Sequence, residues 1–93
     1  MASRPGKRPR SAVFSSHFLE DLESWVREDR KVALRLVRIV RETLREPFRG
    51  IGKPEPLRRQ LAGLWSRRLT QEHRVVYEVT DDTVRFLQAR YHY

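Results

Sequence analysis

Ninety-three residues suffice for a single folded domain, since domains run to about 100–150 residues, and a 39% hydrophobic share with two Trp, three Tyr and four Phe excludes an intrinsically disordered chain despite a mean hydropathy of -0.71. With no cysteine there is no disulfide framework, no thiolate metal site and no cysteine nucleophile, and no apolar run nears the ~20 residues of a membrane span, so the expected location is the cytoplasm. The 20 Lys and Arg outweigh 12 Asp and Glu by +8, concentrated in residues 1–16 and 47–93, which makes a polyanion the first partner to consider.

Residues 1–10 hold two Pro, one Gly and four cations and read as a flexible basic arm, leaving residues 11–93 as one domain. Ser11 to Ser15 is a short strand candidate, after which Ser15 or Ser16 can cap a helix starting near His17. Phe18, Leu22, Trp25 and Val26 recur at helical spacing as far as Asp29. A second helix begins there, with Ala33, Leu36, Val37, Val40 and Leu44 as its apolar stripe and Pro47 ending it at about Glu46. The two Gly and two Pro between Phe48 and Pro56 force a loop.

Four strand candidates follow, Leu57–Leu61, Leu64–Thr70, His73–Thr80 and Thr83–His92, joined by links short enough for hairpins. Alternation separates Val75, Tyr77 and Val79 from Arg74, Val76 and Glu78. The expected fold class is therefore α+β: an N-terminal strand and two helices packed on one face of a twisted antiparallel sheet of four to five strands, with a basic face left open. Tyr77 falls on the core side, whereas Trp65 is either core or a platform for a stacked base, with core the commoner outcome.

His17, His73 and His92 have no metal-pair spacing, Ser66 lies in a strand run rather than a sharp Gly-flanked turn, and Gly50 and Gly52 lack the strand-to-helix context of a phosphate loop. No metal or other cofactor is expected. What remains is chemistry suited to a phosphodiester: a base for a ribose 2′-hydroxyl, cations for the pentavalent anion, and an acid for the leaving oxygen. Glu55 in Pro-Glu-Pro, Arg58, Arg59, Arg67, Arg68 and Arg74 on adjacent strands, and the ending Tyr91-His92-Tyr93 supply these types, although each alone is as well explained as a solvated charge.

Gly52-Lys53-Pro54-Glu55-Pro56-Leu57, Leu61-Ala62-Gly63-Leu64-Trp65-Ser66-Arg67-Arg68, Glu72-His73-Arg74-Val75-Val76-Tyr77, Thr80-Asp81-Asp82 and Arg90-Tyr91-His92-Tyr93 together resemble the YoeB (Txe) toxins of the RelE/ParE superfamily. The match is close over about residues 47–93 and looser through the helices and Val13-Phe14. The resemblance implies a fold like small microbial ribonucleases, cleavage of messenger RNA in the ribosomal A site, and inhibition by a YefM-type antitoxin. Operator DNA would be reached only through the antitoxin complex, and a second copy of the chain is a further candidate partner.

By motif, Glu55 would be the general base, Arg74 the stabiliser of the scissile phosphate, His92 the general acid and Tyr93 the group that orients substrate. An imidazole, with an ordinary pKa of ~6.5, suits the acid's task near neutrality. Lys53, Arg58, Arg67 and Arg68 are the expected phosphate contacts. Strand parity would face His92 and Arg90 the same way, and Tyr93 the other. The rival readings are a non-catalytic basic module that binds antitoxin and operator DNA as co-repressor, a ParE-like toxin acting on a protein, and an RNA-binding protein without catalysis.

Overall fold

The Ser15 backbone is extended and its hydroxyl accepts the Phe18 N–H at 3.0 Å, so the chain turns from strand β1 (Ser11–Phe14) into helix α1 (Ser16–Glu28) at a single residue. The same hydroxyl donates to the Leu87 carbonyl at 2.8 Å. Asp29 ends α1 and starts α2 (Arg30–Arg45): its N–H reaches the Trp25 carbonyl while its carboxylate accepts the Val32 N–H. Glu46 closes α2 just ahead of Pro47. The expected helix limits hold at all these points.

A computed structural model supplies this architecture and describes residues 10–58 and 63–91. Strands β2 (Glu55–Pro56), β3 (Leu64–Arg68), β4 (Arg74–Val79) and β5 (Thr83–Gln88) join β1 in one five-stranded sheet of order β1-β5-β4-β3-β2. The α+β expectation agrees with the structure, with one amendment. The sheet is mixed, because β1 runs parallel to β5 while the other pairs are antiparallel. A parallel neighbour requires a long crossover, here supplied by everything between the two strands.

Two strand limits also shift. Leu57 and Arg58 are not in a strand, and the rest of the expected strand Leu57–Leu61 lies outside the described residues, as does Ala62. The pairing falls instead on Glu55–Pro56, which lie in the segment expected to be loop; a sheet edge tolerates proline because no partner needs its missing donor. The last strand ends at Gln88 rather than His92. There Tyr77 pairs with Phe86 but Val76 with Gln88, so two residues of β5 oppose one of β4 in a bulge that breaks simple parity.

The core forms where Phe18 and Trp25 of α1 and Ala33, Leu36 and Ile39 of α2 meet Val75, Tyr77, Val84 and Phe86. Along α2 the buried line is rotated from the expected stripe: Ile39 and Thr43 are fully buried, whereas Val37 is 40% exposed. The Thr43 hydroxyl is satisfied by the Ile39 carbonyl at 2.7 Å. On α1, Val26 is likewise more exposed than expected. Arg10, at the end of the expected arm, donates from Nε to the Thr80 carbonyl at 2.8 Å, and residues 1–9 lie outside the described residues. No helix among the described residues is long and apolar enough to cross a membrane.

The rotation of α2 is directly measurable. Ile39→Ala should cost about 2–5 kcal/mol in urea denaturation, as buried aliphatic truncations do. Val37→Ala should stay within about 0.5 kcal/mol. Equal losses at the two positions would place Val37 in the core after all.

Candidate active site

The site begins with a loop whose conformation is set from beneath. Arg67 alternates onto the helix-covered face of β3, where its register partner is Val75 and its neighbour Trp65 pairs with Tyr77. It is fully buried. Its Nη1 donates to Ile51 O at 2.9 Å, Nη2 to Arg49 O at 2.9 Å and to Glu46 O, and Nε to the Tyr77 hydroxyl at 3.2 Å. That hydroxyl in turn donates to the Pro47 carbonyl at 2.7 Å. The expectation that Arg67 contacts substrate phosphate is thereby corrected, since its guanidinium is enclosed and spent on the chain's own carbonyls.

Above this anchor the loop turns through Gly52 at φ 80° and Lys53 at φ 51°. A Cβ on Gly52 would lie 2.9 Å from the Arg68 carbonyl oxygen, and the Gly52 carbonyl accepts the Arg68 N–H at 2.6 Å, so only glycine fits the contact. Pro54 and Pro56 then fix the backbone around Glu55. The strand register sets Glu55 opposite Ser66, and Ser66 opposite Val76, so that Arg74, two residues from Val76, shares their face.

On that open face, Arg74 Nη1 lies 3.2 Å from Ser66 Oγ and 3.4 Å from Glu55 Oε1. The side chain of Arg74 is 28% exposed and that of Glu55 61%, which leaves the cation held and the carboxylate free to move. Ser66, in the sequence only a strand residue unsuited to be a nucleophile, is buried and orients the guanidinium. Its signal was alternation, which sets it between Glu55 and Arg74. Arg68 stands directly opposite Arg74 in register, and like charges so placed repel unless an anion intervenes. Lys53, Arg58 and Arg68 are exposed and have no carboxylate within salt-bridge distance among the described residues. Trp65 packs against the core and against Phe48, ring centroids 4.8 Å apart, which is the core alternative.

Beyond β5 the tail is tied to α1. The buried Asp21 carboxylate accepts the Ala89 N–H at 2.8 Å, and Trp25 Nε1 donates to the Ala89 carbonyl at 2.9 Å. Arg90 stacks over Trp25 at 4.4 Å and donates to Ser24 Oγ and Glu28 Oε1, both at 2.7 Å; the Glu28 bond raises its already high pKa. Arg90 thus turns to the helix, and Tyr91 at φ 61° turns the chain again, so strand parity does not extend into the tail. The Tyr91 carbonyl accepts the backbone N–H of Arg74 at 2.9 Å. His92 and Tyr93, the expected acid and orienting group, lie outside the described residues, as does Arg59.

Residues 14–93 match the family model described as YoeB-like toxin of bacterial type II toxin-antitoxin system. The chain is 52% identical over 84 residues to Toxin RelK of Mycobacterium tuberculosis, an alignment covering 90% of this chain and 99% of that protein. Among solved structures it is similar to the YoeB dimer from Staphylococcus aureus, with TM-score 0.83, 33% identity and 92% and 100% of the two chains covered. The heterotetrameric YoeB-YefM toxin-antitoxin complex from the same organism contains a chain with TM-score 0.80, 33% identity and the same coverage.

Burial raises the Tyr77 pKa above its ordinary 10.0, outweighing the hydrogen bond and charge of Arg67, which lower it. A raised value in the folded state means that the stabilising effect of the neutral phenol is complete below an unfolded value of ~10 and is lost as pH rises through the folded one. Urea midpoints measured upward from about pH 9 should therefore fall. Tyr77→Phe should flatten that fall while costing about 1–3 kcal/mol at neutral pH, because Arg67 Nε and the Pro47 carbonyl lose their partner. An unchanged alkaline slope in Tyr77→Phe would assign the linkage to another group.

Proposed function

This chain belongs to the YoeB-like toxins of bacterial type II toxin-antitoxin systems, and from that membership we propose that it is an endoribonuclease that cuts messenger RNA in the ribosomal A site and so arrests translation in the cytoplasm. Glu55 takes the proton of the ribose 2′-hydroxyl, whose oxygen attacks the adjacent phosphorus. Arg74 stabilises the charge that gathers on the phosphoryl oxygens, and His92 protonates the departing 5′-oxygen. A 2′,3′-cyclic phosphate and a 5′-hydroxyl result. Tyr93 orients the substrate, and Lys53, Arg58 and Arg68 hold neighbouring phosphates.

The observation that carries this reading is the arrangement around Arg74. Its guanidinium contacts Glu55 on one side, and its backbone N–H holds the Tyr91 carbonyl, one residue before His92, on the other. A carboxylate and a guanidinium thus meet on one strand end, to which Tyr91, the residue before His92 in the sequence, is also tied. The Arg74–Glu55 pair is largely exposed, and such pairs are worth about 0–1 kcal/mol, so an incoming phosphate can take the guanidinium and release the carboxylate as base. A YefM-type antitoxin covers this basic face in the inhibited complex, reaching operator DNA through its own contacts. A second copy of the chain is a further partner, as in the relative from S. aureus.

Primer extension on a message translated in vitro tests the chemistry. Cleavage should require ribosomes, and Glu55→Gln and His92→Gln should each lower its rate about 10²–10⁴-fold, the usual contribution of a positioned acid or base. Arg74→Ala should lose about 10²–10³-fold. Undiminished cutting by Glu55→Gln would remove Glu55 from the mechanism, and a parent protein that binds its antitoxin yet leaves every message intact would favour the co-repressor reading.

A separate measurement distinguishes the exposed Arg68 from the buried Arg67. Arg68→Ala should weaken ribosome binding and lower its log–log salt slope by about one charge with no loss of fold. Arg67→Ala should instead destabilise the fold by at least about 1–3 kcal/mol, since it leaves three loop carbonyls and the Tyr77 hydroxyl without their buried donor. A reduced salt slope for a folded Arg67→Ala protein would return Arg67 to the RNA-binding surface.

A further inference from the structure

We propose that His73 is a positioning residue for the active site: its Nδ1 accepts the Tyr91 N–H and thereby sets the turn made by the residue next to His92 in the chain. The contact is 2.7 Å long and the imidazole is almost wholly buried, with its ring edge-on to Trp25 at 4.8 Å and against Tyr91 at 5.0 Å. His73 is itself fixed. Its carbonyl accepts the N–H groups of Leu69 and Thr70 at 2.9 and 3.1 Å, and its own N–H donates to Thr70 Oγ1 at 3.1 Å, so the β3–β4 turn is built around it.

The next residue along β4 completes the hold. Arg74 donates its backbone N–H to the Tyr91 carbonyl, so two successive residues, 73 and 74, grip the amide and the carbonyl of Tyr91. Tyr91 adopts φ 61°, and a non-glycine residue stays in that region only where its surroundings over-determine it. The two bonds supply that constraint and fix the residue that immediately precedes His92 in the sequence, beside the backbone of Arg74. A backbone N–H can only donate, so Nδ1 must present its lone pair and the ring proton must sit on Nε2, which lies 3.9 Å from Glu72 Oε1. Arg90 and Ala89 are held separately by α1, so losing the His73 bond would loosen the tail only from Tyr91 onward.

This role rests on the nuclease reading above, and its test separates the two. Tyr91 amide exchange and the His73 ring tautomer would be measured by ¹⁵N NMR on parent, His73→Leu and His73→Asn proteins, alongside ribosome affinity and single-turnover cleavage of ribosome-bound message. The parent should show a protected Tyr91 amide and the Nε2–H tautomer. His73→Leu keeps apolar bulk but has no acceptor; it should lose the protection and about 10²-fold in cleavage rate, with ribosome affinity unchanged. In His73→Asn the side-chain oxygen takes the place of Nδ1, and it should recover both protection and most of the rate.

A Leu variant that cuts at the parent rate overturns the proposal, as does an Asn variant that protects Tyr91 without regaining activity. Should the Leu variant fail to fold, the parent spectra and the Asn variant still decide. Free exchange of the Tyr91 amide in a parent that cuts overturns the positioning role alone, whereas a parent that leaves ribosome-bound message intact overturns the nuclease reading and with it any catalytic part for His73.

Discussion

The Arg67 guanidinium is fully buried with no carboxylate within salt-bridge distance among the described residues, and a cation in that position is tolerable only if each of its nitrogens finds an oxygen. It finds them on the backbone, at Glu46, Arg49 and Ile51, and on the Tyr77 hydroxyl. The chain leaving α2 must therefore wrap around the charge rather than cross over it. That requirement explains Gly50, at φ 118°, where a Cβ would come within 2.5 Å of Glu42 Oε2 and 3.3 Å of Arg67 Nη1. It also explains how Glu55, the first residue of β2 and on the opposite face of the sheet, acquires a defined place: the loop before it is moored from below, and the two prolines stiffen the backbone around it.

Arg74 is where this loop and the tail meet, and the two are held by different means. On the loop side the contacts are made by its side chain, to Ser66 and Glu55, and they are weak enough to be exchanged. On the tail side the contact is made by its backbone, as one rung of a network that runs from α1 through Asp21, Trp25 and Arg90. The fixed parts are thus those that set direction, and the replaceable part is the one that a phosphate would replace. With Arg68 opposite in register, the strand end carries more positive charge than Glu55 balances.

What the sequence made legible depended on how local each cause was. Ser15, Asp29 and Pro47 act within one helical turn, so the helix limits could be read directly. The alternation of Val75 and Tyr77 against Arg74 likewise needed only β4 itself. The rotation of α2 was not readable, because Val37 and Ile39 are both apolar and flank the same arc; contact with the sheet, not the helix's own pattern, chooses between them. β2 was hidden by Pro54 before it and Pro56 within it, because the exclusion of proline from strands lapses at an edge that only the partner strand defines. Arg67 was misread since burial of Arg is rare, although the same alternation that placed Tyr77 inside also places Arg67 beside it. In the tail, a bulge and one left-handed residue defeated the parity that had served for the strands.

The exposure of the Glu55–Arg74 pair bears on why such a site would need its ribosome. In the free protein Glu55 and Arg74 contact each other in water, where each partly masks the charge of the other. A short RNA in solution must bring its own phosphate between them, fix its ribose and lose its translational freedom at once, all against a few exposed cations. On the proposed function, a message already threaded through a rigid particle would have given up that freedom beforehand, and the energy of docking a chain of net charge +8 onto ribosomal phosphates would then be available to part the pair. On the proposed chemistry, the dependence on the ribosome follows from how open this site is, without any further gate.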